Sequence, residues 1–150
     1  PAWDRIGIVR YPSRAAFFAM QQREDFKAQH VHKEAGMDFT IVMACLPAAH
    51  EAETEARPDG SLVLVVEGGV GAPPAPVPGV REVAAFAVEG VIVGDAFFER
   101  ARFVRVADDQ DLAALVETAA ASDEAHVLVV SPAIDHLVES IVGASTETGR

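Results

Sequence analysis

The 150-residue chain has a single cysteine, Cys45, which excludes an intramolecular disulfide framework. A reducing, cytoplasmic setting fits that usage. Lysine is nearly absent, with only Lys27 and Lys33, and 12 basic residues stand against 23 acidic ones for a net charge of −11. A surface this negative repels phosphate backbones and anionic lipid, and the basic residues gather into no patch. Neither nucleic acid nor membrane is an expected partner. Long apolar runs are also missing. Leu62–Val66 and Val127–Val130 fall far short of the roughly 18–20 residues that a membrane-spanning helix needs. No basic, then apolar, then small-residue signal opens the chain. Pro1-Ala2-Trp3 instead leads almost directly into a strand pattern, so the expectation is that residues precede it.

What is present suits a packed α+β protein. Half of the residues are hydrophobic and 23% are charged, which argues against disorder. Trp3 to Tyr11 (WDRIGIVRY) reads as a strand rich in β-branched and aromatic residues. Ser13 is placed to cap a helix carrying Phe17 and Met20 on one face. The helical pattern breaks near Gln22 and resumes from Glu24 to Ala35, and Asp38 to Cys45 reads as a second strand. Polar His50 to Gly60 reads as a linker ending in a Pro-Asp-Gly turn. Ser61 to Glu67 is an apolar strand, and the Gly/Pro-rich Gly68 to Gly79 cannot be a helix. Arg81 to Gly94 and Phe97 to Val106 read as hairpin arms. Asp108 or Asp109 caps a helix with Leu112, Leu115, Val116 and Ala119 on one face. The tail reads in two ways. Local propensity makes His126 to Val130 a strand and Ala133 to Val142 a helix, whereas an internal repeat, slightly preferred, puts a bend first and a strand near Leu137 to Val142.

That repeat organises the reading. Trp3-Asp4-Arg5 lies 95 positions before Phe98-Glu99-Arg100, and the same offset matches Ile8-Val9-Arg10 with Phe103-Val104-Arg105, Phe17 with Leu112, and Met20 with Leu115. The predicted organisation is a first, N-terminally incomplete ferredoxin-like unit over 1–49, an acidic linker over 50–60, a second unit over 61–145 and a tail over 146–150.

The stretch from Trp3 to Cys45 resembles the dimeric α/β-barrel superfamily, most nearly a bacterial domain family of unknown function. The residues that carry the likeness are Trp3-Asp4-Arg5, Tyr11-Pro12-Ser13-Arg14 with Phe17, Glu24-Asp25-Phe26 and Ala35-Gly36. The resemblance covers residues 3–46 well and 82–121 loosely. It implies ferredoxin-like tandem half-repeats in a dimeric α/β-barrel arrangement, with antiparallel sheets, helices on one face and a cavity shared by a homodimer. The wider superfamily includes cofactor-free monooxygenases, polyketide cyclases, haem enzymes and stress-responsive proteins. Fold alone does not choose among these.

The candidate chemistry lies in the first unit. His30 and His32 point about 200° apart on a helix and cannot readily grip one ion, so no metal or other cofactor is expected. His30 and Glu34 share a helix face, where a carboxylate would orient an imidazole as a general base. Arg5 or Arg10 is a candidate to stabilise an anionic or enolate oxygen, and Tyr11 and Trp3 are candidates to line an apolar cavity. The competing reading makes these arginines salt-bridge partners of neighbouring acids. Cys45 reads as an inert thiol. Gly69-Val70-Gly71 lacks the rest of a phosphate loop, and Ser131, Asp135 and His136 lack a nucleophile elbow. Two functions follow. One is a small-molecule-binding barrel, with a cofactor-independent monooxygenase, cyclase or isomerase acting on an apolar or enolisable substrate as its catalytic form. The other is a non-catalytic oligomerisation or ligand-sequestering domain.

Overall fold

A computed structural model of the chain describes residues 3–48, 60–69, 76–121 and 125–131. The chain divides into two compact units, Pro1–Ile41 and Val42–Arg150. Linker residues 49–59, loop residues 70–75 and the tail from 132 onward, with the alternative strand and helix read there, lie outside the described residues.

The first unit contains helices α1 (Arg14–Gln22) and α2 (Glu24–Ala35). Ser13 caps α1 with an extended backbone, and its hydroxyl accepts from the Ala16 N–H at 3.1 Å. The helix stops where Arg23 turns extended and donates its N–H to the Met20 carbonyl at 3.2 Å. A second helix then starts with Glu24 and Asp25 in its first turn, where acids complement the helix dipole. Trp3 to Tyr11 forms no strand, contrary to its composition. Ile8 and Val9 are exposed, at 54% and 70% of their surface. β-branched residues favour strands when neighbours cover the pleated surface, and this segment pairs with none among the described residues. Its matched counterpart in the second unit is buried sheet. An N-capped helix follows each of the two matched stretches, but only the second stretch is a strand.

The second unit is a five-stranded antiparallel sheet with one described helix, α3 (Asp109–Ala120). Its strands are β1 (Val42–Pro47), β2 (Ser61–Glu67), β3 (Val80–Val93), β4 (Arg100–Val106) and β5 (Ala125–Val130), in the spatial order β1-β3-β4-β2-β5. That order is compatible with a ferredoxin-like α+β fold carrying β1 as an added edge. The strand expected over Asp38 to Cys45 begins later, at Val42, and joins this sheet by pairing with β3. Local propensity was the better guide to β5, which is a strand from Ala125 where the repeat placed a bend.

One face of the sheet carries Val63, Val65, Val104 and Val106 against Leu115 of α3, with Val80, Leu112 and Val127 packed around them. Asp108 sets α3 in place, its carboxylate accepting from the Gln110 and Asp111 N–H groups at 2.9 Å each. The opposite face carries Leu62, Leu64, Val66, Ala101 and Phe103, and these are buried too. β2 is therefore covered on both sides, which is why it reads as an unbroken apolar run. Every buried apolar residue among the described ones belongs to this second unit. At the entry to β2, Gly60 has φ +113°, and a Cβ there would collide with the Val106 carbonyl.

Val116, expected on the buried stripe of α3, is instead 44% exposed. Replacing Leu115 with alanine should lower unfolding free energy by about 2–5 kcal/mol in a denaturant titration. Val116→Ala should stay within about 0.5 kcal/mol of wild type.

Candidate functional site

The predicted site residues all fall in the first unit, and they enter separate local clusters. Trp3 packs on Phe39 with ring centroids 5.3 Å apart. Tyr11 meets Phe17 edge-on at 5.1 Å, and Phe17 meets Phe18 at 5.6 Å. Arg5 and Arg10 are exposed on the segment that forms no strand, so strand alternation does not orient them. His30 and His32 both lie on α2. His30 is half-buried and stacks on Phe26 at 5.6 Å, while His32 is exposed. Glu34 lies on the same helix, and its side chain is outside the described set.

A groove of about 350 Å³ beside α1 and α2 is lined by Met20, Arg23, Asp25, Phe26 and Gln29. At its rim the Arg23 guanidinium donates to both Asp25 oxygens, through Nε at 2.9 Å and through one terminal nitrogen. This hydrogen bonding holds the Asp25 carboxyl below its ordinary range.

Sequence reading passed over a polar cluster in the second unit. Glu67 ends β2, and Arg102 lies opposite Val65 on β4, so both project from the face that α3 covers. Arg102 donates to the two Glu67 oxygens at 3.1 and 2.9 Å, a bidentate pair with each side chain 15% exposed. Arg100 approaches Glu67 at 3.8 Å, and Arg102 approaches Glu82 of β3 at 3.7 Å. Two acids and two arginines thus neutralise one another across three strands. Arg100 answers Glu67 rather than its neighbour Glu99, and Arg105, on the other face, donates to the Gly60 carbonyl at 3.1 Å. The signal available in sequence was Arg102 itself, a charge set between Ala101 and Phe103 in the middle of the strand.

Cys45 lies on β1 opposite Val88. It is exposed as a residue, yet enough protein surrounds it that desolvation raises its thiol pKa, and the Glu89 charge adds to the effect. A thiol raised in this way is a poor nucleophile at neutral pH. Among the described residues no group of three His, Cys, Asp or Glu side chains is placed to hold a metal ion. No described helix is long and apolar enough to cross a membrane. No family model, curated protein or solved structure matches this chain.

Removing one member of the ion cluster leaves the other charged in a poorly solvated place. Glu67→Ala should cost about 3 kcal/mol by chemical denaturation, and the double replacement Glu67→Leu with Arg102→Leu should cost less than the single change. Alkylation of Cys45 followed against pH should have its midpoint above that of a free cysteine (about 8.5). Glu89→Gln should lower that midpoint only in part, since desolvation is the larger cause.

Proposed function

We propose that the chain is a ferredoxin-like assembly module whose role is self-association rather than catalysis. The observation that carries this reading is the two-sided burial of β2. Leu62, Leu64 and Val66 are covered on one face of the sheet, and Val63 and Val65 on the other. A barrel enzyme of the resembled superfamily needs an interior between sheets in which titratable groups meet a substrate. Here the sheet is closed by apolar side chains, and its polar cluster is satisfied internally. The candidate catalytic histidines lie instead on helix α2 of the first unit, and the candidate binding residues on its coil segment. The same burial speaks against a partner's sheet laid face to face over β2 and β4, because their apolar side chains are already covered. Association through a sheet edge remains.

A second reading rests on the groove beside α1 and α2. The groove is open, but Met20 and Phe26 supply apolar lining, and His30 stacks on Phe26. A small apolar ligand held there would meet Phe26, the ring on which His30 stacks. Replacing His30 and His32 together should abolish turnover of a ligand found there if this second reading holds.

Sedimentation velocity over a wide concentration range tests the assembly reading. The expected result is a reversible, concentration-dependent shift from monomer to dimer. A strictly monomeric chain that turns over a substrate would overturn it.

A further inference from the structure

The register of β3 shows that one strand serves two neighbours in succession. Its residues Val80 to Ala87 pair with β4, and Phe86 to Val93 pair with β1. Beyond Ala87 the strand runs past the start of β4, with one further bond from the Val88 N–H to the Glu99 carbonyl at 2.9 Å. From there β1 and the far half of β3 form a two-stranded ribbon. Each register irregularity falls on β3. Met43 pairs with Val91 one step after Val42 pairs with Val93, so Ile92 is the extra residue. Glu89 is extra in the same way between Gly90 and Val88, as is Val83 opposite β4. Bulges normally blunt an edge by twisting it. Here they sit on the inner strand, and the edge strand β1 stays regular from Val42 to Pro47.

The ribbon is also poor in charge. Val42–Pro47 carries no Asp, Glu, Lys or Arg, and Val88–Val93 carries only Glu89, in a chain of net charge −11. Lysines, inward-pointing charges and proline are the usual protections of an edge, and β1 has only Pro47, at its last position. Leu46, Ile92 and Val93 are about half exposed, and Phe97 in the following loop is 71% exposed.

We infer that β1 is the self-association edge, pairing antiparallel with β1 of a second copy across a twofold axis near Ala44 and Cys45. This inference rests on the assembly reading above and names its surface. The occupant is a second copy for two reasons. Antiparallel pairing of one strand with itself is self-complementary and needs no separately shaped partner. β1 itself is uncharged within an acidic chain, so the paired strands bring no carboxylates into register and the nearest acid of the ribbon, Glu89, lies one strand back, whereas a basic partner would be drawn to other parts of the surface. Six paired residues cover less than the roughly 1,200–2,000 Å² of a tight interface. The dimer is therefore reversible, and it strengthens with added salt as repulsion between the two acidic bodies is screened.

The test compares the full chain with Cys45→Lys and Leu46→Lys, which place a charge at exposed edge positions. Circular dichroism reports whether each variant folds, and sedimentation reports its mass. Wild type should dimerise with rising concentration, and both folded variants should dimerise about tenfold or more weakly. Hydrogen exchange on the wild type alone supplies a second readout, in which amides of Val42 to Leu46 slow as the dimer forms. If dimers persist in both variants, or if edge amides exchange at the same rate in monomer and dimer, the edge assignment fails while self-association stands. If wild type stays monomeric at every concentration, both fall.

Discussion

Burial of β2 on both faces is the constraint from which the rest of the second unit follows. A strand with no solvent face has to be apolar at every interior position, and Leu62 to Val66 supplies that run. Its neighbour β4 must present apolar groups on both faces as well. Any charge it carries has to be paired where it emerges, because an isolated ion in such surroundings is too costly. Arg102 meets this condition by gripping Glu67 from the adjacent strand with two hydrogen bonds. The cluster is thus a consequence of the sheet's closure, and its members have their charges engaged with one another.

The long strand β3 links this closed sheet to the part of the molecule that is open. Its extra residues let it follow β4 first and β1 afterwards, and each adds local twist. The sheet thereby ends in a ribbon that the closed core does not cover. The sheet thus combines an interior covered on both faces of β2 with a regular edge strand that carries no charged side chain. The first unit differs in kind, with two helices, the first of them capped by Ser13, small aromatic clusters and no fully buried residue among those described.

Much of the fold was legible where the governing interaction is local. Ser13 and Asp108 announce helix starts because a side-chain oxygen satisfies N–H groups only a few residues away. The break between α1 and α2 and the apolar run of β2 were equally readable. Trp3 to Tyr11 was misread because strand propensity records a willingness to pair and does not supply the partner. Val116 was misassigned because helical spacing defines a stripe but not its width. The candidate site was the part least open to a local reading. His30, Arg5 and Trp3 were joined by an assumed cavity, and only their separate ring contacts and exposures bear on how they are placed.

By itself the sequence determined composition-level properties and local structure: the acidic surface, the capped helices, the apolar strands and the lack of a disulfide framework. Each depends on residue identity or on neighbours within a few positions. Tertiary structure alone decided that β1 joins the second sheet, that β3 divides its pairing, and that Glu67 finds Arg102 across 35 positions of chain. Such pairings depend on strand order and register. A shift of one residue would turn each of these side chains to the other face, and no local pattern specifies that choice.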